Sequence, residues 1–463
     1  MIDPATNLAM HVMLAQDSLS VPAQIEYTVE RVLTPGGAAL AVAMVGLGAL
    51  VVTLRKTVPF MLASILFLST LQLTNMSTMN VLLGPVQTLR AMAKSLGFLM
   101  LLLAVLLLAT VPIGQRLRSA GPASLGFLGF QLYYVTQLTL FASDYELKGL
   151  LGIVTMVLMF LVFGVMFGRT LQDLASARTS FGAFAWIGLA HVAINMIQIV
   201  VSPAGALVGG RLAGTGGNAQ MMGCVSCLLL LVNTYLYYES RKGQTTKWVS
   251  LLNIGFLGVF VLATGSRTAV LATGVGLLVM LGLRMGRSIS LAITGLIGVA
   301  AVSMFIGDPT AVVTERFAGA GNTRRELWLQ ALAIFADSPV FGELPFLKPG
   351  EEPNGIESTF IRVLANMGIL GAVIAAIPTL FVISYATSAL RIKRAGGAAG
   401  PLAGMFLGLL AAQLVFNVFD GYAYGFLTFP VIFLHITFAT GQFLSELPDW
   451  ETSEIADAEA VPA

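Results

Sequence analysis

Residues 354–371 read NGIESTFIRVLANMGILG, a polar strip that turns into an apolar run with one carboxylate, Glu357, at the junction. Read as a helix, residues 359–384 are long enough to cross a bilayer, which takes roughly 20 apolar residues. The rest of the chain has the same character: 57% of its 463 residues are apolar and only 10% are charged, and the mean hydropathy is +0.86. A globular domain with so few charges cannot cover its surface with polar groups, whereas a bundle facing lipid need not. The fold class is therefore an all-α polytopic membrane protein. The net charge of +2 adds nothing to this, because orientation follows where Lys and Arg fall and not their sum.

Apolar stretches mark spans at 36–54, 58–74, 95–113, 123–141, 149–168, 181–201, 219–238, 248–264, 268–283, 288–307, 359–384, 400–418 and 424–443. Several are short or abut a neighbour, so the expected number is about 12–14. Basic residues cluster on one side, at Arg55 and Lys56, Arg116 and Arg118, Arg169 and Arg178, Arg241, Lys242 and Lys247, Arg284 and Arg287, and Arg391, Lys393 and Arg394. The positive-inside rule makes that side cytoplasmic. The expected organisation is an external N-terminal segment over 1–35, a bundle over 36–443 with one long external loop at 308–358, and an acidic cytoplasmic tail over 444–463. The polar N-terminal segment lacks a basic stretch followed by an apolar core, so no cleavable signal peptide is expected. Cys224 and Cys227 lie inside an apolar run and read as small buried helix residues with no redox or metal role.

The long loop carries an amphipathic helix from Arg324 to about Ala336, with Thr323 as cap and Asp337-Ser338-Pro339 as stop. Too short to span, it is expected to lie flat at the outer interface with Trp328 at headgroup depth. Two arginines stand out on the side that topology keeps poor in positive charge. Arg211 lies in a glycine-rich loop and Arg267 in a turn so short that it stays near membrane depth. A guanidinium there is costly unless it meets an anion, and it forks across phosphate oxygens. One reading is a pocket for a phosphate-bearing lipid, with Arg324 and Arg325 nearby; the other is that each arginine snorkels to headgroups or caps a helix end.

The segments RLAGTGGNAQMMG from 211, ATGSRTAVLA from 263, ERFAGAGNTRRELWLQALAIFADSPVFGE from 315 and ESTFIRVLANMGILG from 357 follow one another in an order and spacing that resembles the bacterial O-antigen ligase and polysaccharide polymerase superfamily, which includes Wzy-type O-antigen polymerases and exopolysaccharide polymerases. The resemblance spans about residues 205–372; over the first 200 only the multi-span character matches. It implies transfer of a glycan from undecaprenyl diphosphate to a sugar hydroxyl at the outer face of a bacterial inner membrane, with no cofactor. The implied partners are an undecaprenyl-diphosphate-linked oligosaccharide, membrane lipid, a flippase and a chain-length regulator, and no nucleic acid. Arginines matching Arg211 and Arg267 are associated with the diphosphate in that family. Its ligases carry a histidine where this chain has Glu357, and His11, His191 and His435 are all elsewhere.

Such a transfer needs a base for the acceptor hydroxyl and cations for the departing diphosphate. Glu357 at a partly desolvated membrane edge suits the first role, and Arg211 and Arg267 the second. Glu357 read instead as an N-cap acid is the competing reading. Asn218 and Asn354 are candidates for binding sugar hydroxyls, or else turn formers; Asp420 and His191 are left outside the site. No Asp-rich or His-rich cluster offers a metal site, so none is expected. The expected function is polymerisation of carrier-linked repeat units. A ligase acting on lipid A core is the alternative, and a transporter of lipid-linked anionic glycans a further one, which the gathering of polar residues at one face disfavours.

Overall fold

A computed structural model describes residues 58–71, 84–110, 120–141, 146–208, 210–241, 243–282, 323–343, 358–422 and 428–447. The expected spans at 36–54 and 288–307, the N-terminal segment and nearly all of the acidic tail lie outside them. Each remaining expected span falls on a described helix. These are α1 (Val58–Thr70), α2 (Gly84–Ala109), α3 (Pro122–Phe141), α4 (Glu146–Met159), α5 (Leu174–Val201), α6 (Ala219–Glu239), α7 (Thr245–Ala263), α8 (Arg267–Leu281), α10 (Thr359–Ala395), α11 (Gly400–Phe419) and α12 (Phe429–Glu446). The amphipathic helix of the long loop is α9 (Thr323–Asp337). Among the described residues, 6 helices are long and apolar enough to cross a membrane. The protein is an all-α polytopic membrane protein, and the only strand pairing described is a two-residue ribbon, β1 (Leu207–Val208) with β2 (Arg211–Leu212).

Helix α6 is the axis of the bundle. It is apolar all round and buried from Ala219 to Leu236, as a helix enclosed on every side must be. Its Asn233 is matched inside: Asn253 of α7 donates to Asn233 at 2.9 Å and to the Ala185 carbonyl of α5 at 2.8 Å. Cys224 and Cys227 are buried free thiols on this helix. Helix α8 approaches its neighbours at small residues, which is how helices in lipid gain close contact. A Cβ on Gly408 would stand 2.7 Å from the Gly276 carbonyl, and one on Gly223 would stand 2.6 Å from Ala269. At the other end, Asp173 and Ser176 form a capping box that starts α5, and the Ser176 N–H holds the Asp173 carboxyl below its ordinary range. Helix α4 continues into a π-helical stretch, Phe160–Met166, packed on α12.

Helix α10 is broken at Gly368, where φ is 61° and ψ −161°. A break in a spanning helix frees backbone groups that lipid cannot satisfy. The segment following α9 supplies the partners. Ile369 and Leu370 donate to the Pro339 and Val340 carbonyls at 2.8 and 3.2 Å, and the Ala365 carbonyl accepts from Glu343 N–H at 2.8 Å. Only glycines permit so close a crossing: a Cβ on Gly342 would lie 2.4 Å from Asn366 backbone carbon, and one on Gly368 would lie 2.3 Å from the Val340 oxygen. Gln137 of α3 adds a bond to the Phe341 carbonyl at 3.4 Å.

Helix α9 seats Ala331 against Ala365, with Ile334 and Ile361 alongside. Asp337-Ser338-Pro339 ends it as expected, but Thr323 is its first residue and not its cap. Its observed anchor is therefore α10. Gly368→Ala is expected to undo this crossing, at a cost of roughly 1–3 kcal/mol for the strained φ alone. Gly255→Ala, in open space on α7, should instead be neutral or stabilising by up to about 1 kcal/mol. Thermal unfolding in detergent checks both, and equal midpoints would count against the crossing as a structural lock.

Candidate functional site

The glycine-rich loop is built from α5 upward. Asn195 donates to the His191 carbonyl at 2.8 Å and accepts the Thr215 N–H at 2.8 Å. Gly214 (φ +54°) passes so close that a Cβ would stand 2.2 Å from Asn195 Oδ1. Gly214–Gly217 is consequently buried, and Gly217 N–H bonds within its own turn to Gly214. Two backbone N–H groups of the loop are thus used internally, that of Thr215 by Asn195 and that of Gly217 by the Gly214 carbonyl. Asn218 also has local work, because its side-chain oxygen accepts from Gln220 and Met221 N–H at 2.8 and 3.4 Å as the N-cap of α6.

Arg211 comes out of this loop on β2 and reaches the α7–α8 turn, where its Nε donates to the Thr264 carbonyl at 2.7 Å. That bond uses one of the five guanidinium donors. Gly265, at φ +56°, reverses the chain. Ser266 caps α8 by accepting the Ala269 N–H at 3.3 Å, so Arg267 is the first residue of α8 and is exposed. The two arginines, 56 positions apart in sequence by their numbering (267 − 211), thus belong to one corner of the bundle. Their charges add to the partial positive charge at the α8 N-terminus.

Two further helix ends join this corner. Thr268 donates to the Asp420 carboxylate at 3.2 Å, at the end of α11. One turn earlier on α11, Asn417 accepts from Thr359 at 2.7 Å, in the first turn of α10. Helix α10 begins at Thr359 with Ser358 in the N-cap position, so the place assigned to Glu357 as N-cap belongs to its neighbour. Glu357 and Asn354 themselves lie outside the described residues, as do the side chains of Arg324 and Arg325. The backbone of α9 still locates its arginines. Ala331 packs at Ala365, and the segment after α9 reaches Ile369 through Pro339, so α9 lies against the first part of α10.

Asp420 and Asn417 were missed as parts of this corner. The sequence carried a signal for Asp420, a lone acid in the turn NVFDGYAYG; Asn417 has none, since one amide in an apolar span reads as bundle packing. The histidines are elsewhere. His191 lies buried on α5 under Asn195, and His435 lies buried on α12 against the Phe127 ring.

Residues 252–376 match the family model described as O-antigen ligase, a stretch that contains α8, α9 and the first half of α10. No curated protein matches the chain.

The loop geometry makes Asn195 its support. Asn195→Ala leaves the Thr215 N–H buried without its acceptor, at an expected cost of about 1–3 kcal/mol. The measurement is thermal unfolding in detergent, where an unchanged midpoint would show that the loop does not depend on this bond.

Proposed function

From membership of the O-antigen ligase and polysaccharide polymerase superfamily, we propose that this chain is a metal-independent polymerase of undecaprenyl-diphosphate-linked repeat units, acting at the periplasmic face of a bacterial inner membrane. The observation that carries the reading is the meeting of Arg211 with the turn that bears Arg267. Two cations held at one rim of an apolar bundle suit a diphosphate whose lipid tail stays in the membrane. In the reaction, a sugar hydroxyl of one carrier-linked unit attacks the anomeric carbon of another, and the bond from that carbon to the diphosphate oxygen breaks. The hydroxyl proton goes to Glu357. The negative charge that collects on the departing lipid diphosphate is met by Arg211 and Arg267, which is where preorganised donors contribute most.

Arg211→Ala and Arg267→Ala are each expected to leave the protein inserted and folded but to abolish polymer, since a desolvated bidentate contact disappears. Lysine at either position should restore little, because an ammonium cannot fork across two phosphate oxygens. Gel analysis of lipid-linked glycan checks this, and normal output from both alanine variants would refute the diphosphate site.

A ligase is the second reading, favoured by the description of the matched family. Glu357, which stands where ligases of the family carry histidine, favours the polymerase. Glu357→Gln keeps size and hydrogen bonding but loses proton acceptance, so the rate should fall roughly 100-fold or more with little change in stability. Glu357→Asp should fall between the two. The product separates the readings: a ladder of repeat units on the polyprenyl carrier supports the polymerase, and glycan on lipid A core that depends on this protein overturns it.

A further inference from the structure

Helix α11 stands between the two halves of the site. On one flank it packs α8 through Gly276 and Gly408, each close to the carbonyl of the other, and on the other it packs α10. Those apolar contacts fix how near the helices come but resist sliding along their axes poorly, since dispersion has little direction. Directional bonds occur at the ends. Thr359 lies in the first turn of α10, where a hydroxyl usually serves its own helix, and Ser358 makes no side-chain cap bond there. The Thr359 hydroxyl turns sideways to Asn417, and Asn417 in turn donates to the Gln413 carbonyl at 2.8 Å, which fixes its amide. Thr268, one residue after Arg267, is tied to Asp420 one turn further along the same helix.

We propose that the last turn of α11 is the spacer of the site: Asn417 sets the start of α10 and Asp420 sets the start of α8, so these two positioning residues fix how far the helix start that follows the proposed base in sequence stands from the helix start that bears Arg267. The inference rests on the transferase reading, in which Glu357 immediately precedes Ser358 and Arg267 heads α8. It matters because a reacting group displaced by about 1 Å can lose on the order of 100-fold in rate. Each tie then has its own kinetic signature. Loosening the α10 tie moves the base and lowers turnover, whereas loosening the α8 tie moves Arg267 and weakens the hold on diphosphate.

The test uses full-length protein in detergent, with glycan transfer and binding of undecaprenyl diphosphate measured separately alongside thermal unfolding. Thr359→Val is expected to lower turnover at least tenfold, to leave the Kd for undecaprenyl diphosphate within twofold and to leave the midpoint in place; Thr359→Ser restores the hydroxyl and the rate. Asn417→Leu should reproduce Thr359→Val, and the double variant should be no worse than either single one, as members of one pair are not additive. Thr268→Val should raise the Kd at least fivefold, with recovery in Thr268→Ser. Values within twofold of wild type for all of these overturn the spacer while leaving the transferase standing. A parallel fall in midpoint, Kd and turnover, unrescued by serine, also overturns it. If the wild type binds undecaprenyl diphosphate but transfers nothing, the transferase reading fails, and the spacer is judged on the Thr268→Val shift, whose absence overturns it.

Discussion

The backbone bonds that close the break in α10 are the constraint on which the rest depends. Lipid offers no partner for a freed amide, so a spanning helix can bend away from its own hydrogen-bond ladder only where protein replaces the lost acceptors. Here the replacement comes from the chain just after α9, through the carbonyls of Pro339 and Val340. Proline loses nothing in this role, because only its carbonyl is used. The consequence is that the long loop cannot be an independent appendage. Its helix is fixed to α10 by backbone bonds that sequence changes at most positions would leave intact, while Gly342 and Gly368 admit no side chain at all.

From that fixed pair the corner of the bundle follows. Helix α10 leans its first turn on α11, α11 holds the start of α8, and the α7–α8 turn holds Arg211. Each step is a hydrogen bond between groups on different elements, while the glycine contacts of α8 and α11 supply close packing. Arg211 and Arg267 stand at this rim together with the Asp420 carboxylate, so the corner holds charges of both signs beside the start of α8. The buried loop under Asn195 keeps Arg211 from relaxing away from that corner.

Hydropathy made the spans legible because burial in lipid acts on composition, which a sequence displays directly. The α9 helix was legible for a related reason: Leu327, Trp328, Ala331, Ile334 and Phe335 recur at helical spacing, and Pro339 ends the run. Boundaries were less so, as Thr323 inside α9 and Ser358 ahead of α10 illustrate; a cap is decided by one dihedral that several neighbouring polar residues can adopt. Arg211 and Arg267 were legible because a charge on a charge-poor side is costly and therefore informative. A local role for Asn218 was one of the two readings open in the sequence, but the bond of Thr215 to Asn195 was not legible, since a glycine-rich loop that cradles an anion and one that packs under an asparagine have the same composition. Asp420 showed as a lone acid in its turn, but the pairings of Asn417 and Asp420 were hidden for a different reason: their partners lie far away in sequence, and no local pattern announces a pairing across helices.

On the proposed reading, the spacing across α11 answers a conflict in the chemistry. The diphosphate needs its cations close, yet a carboxylate held against a guanidinium loses the basicity it needs to take a proton. An imidazole beside arginines has no such difficulty, because nearby positive charge keeps it neutral and able to accept. A carboxylate base at Glu357 therefore gains from distance between acid and cations, since their interaction falls with separation. With Arg267 at the start of α8 and Glu357 next before the N-cap of α10 in sequence, the proposal has α11 hold those two helix starts apart. The same scaffold can then serve either base, and the identity of the residue ahead of Ser358 becomes a matter of electrostatics and acceptor more than of fold.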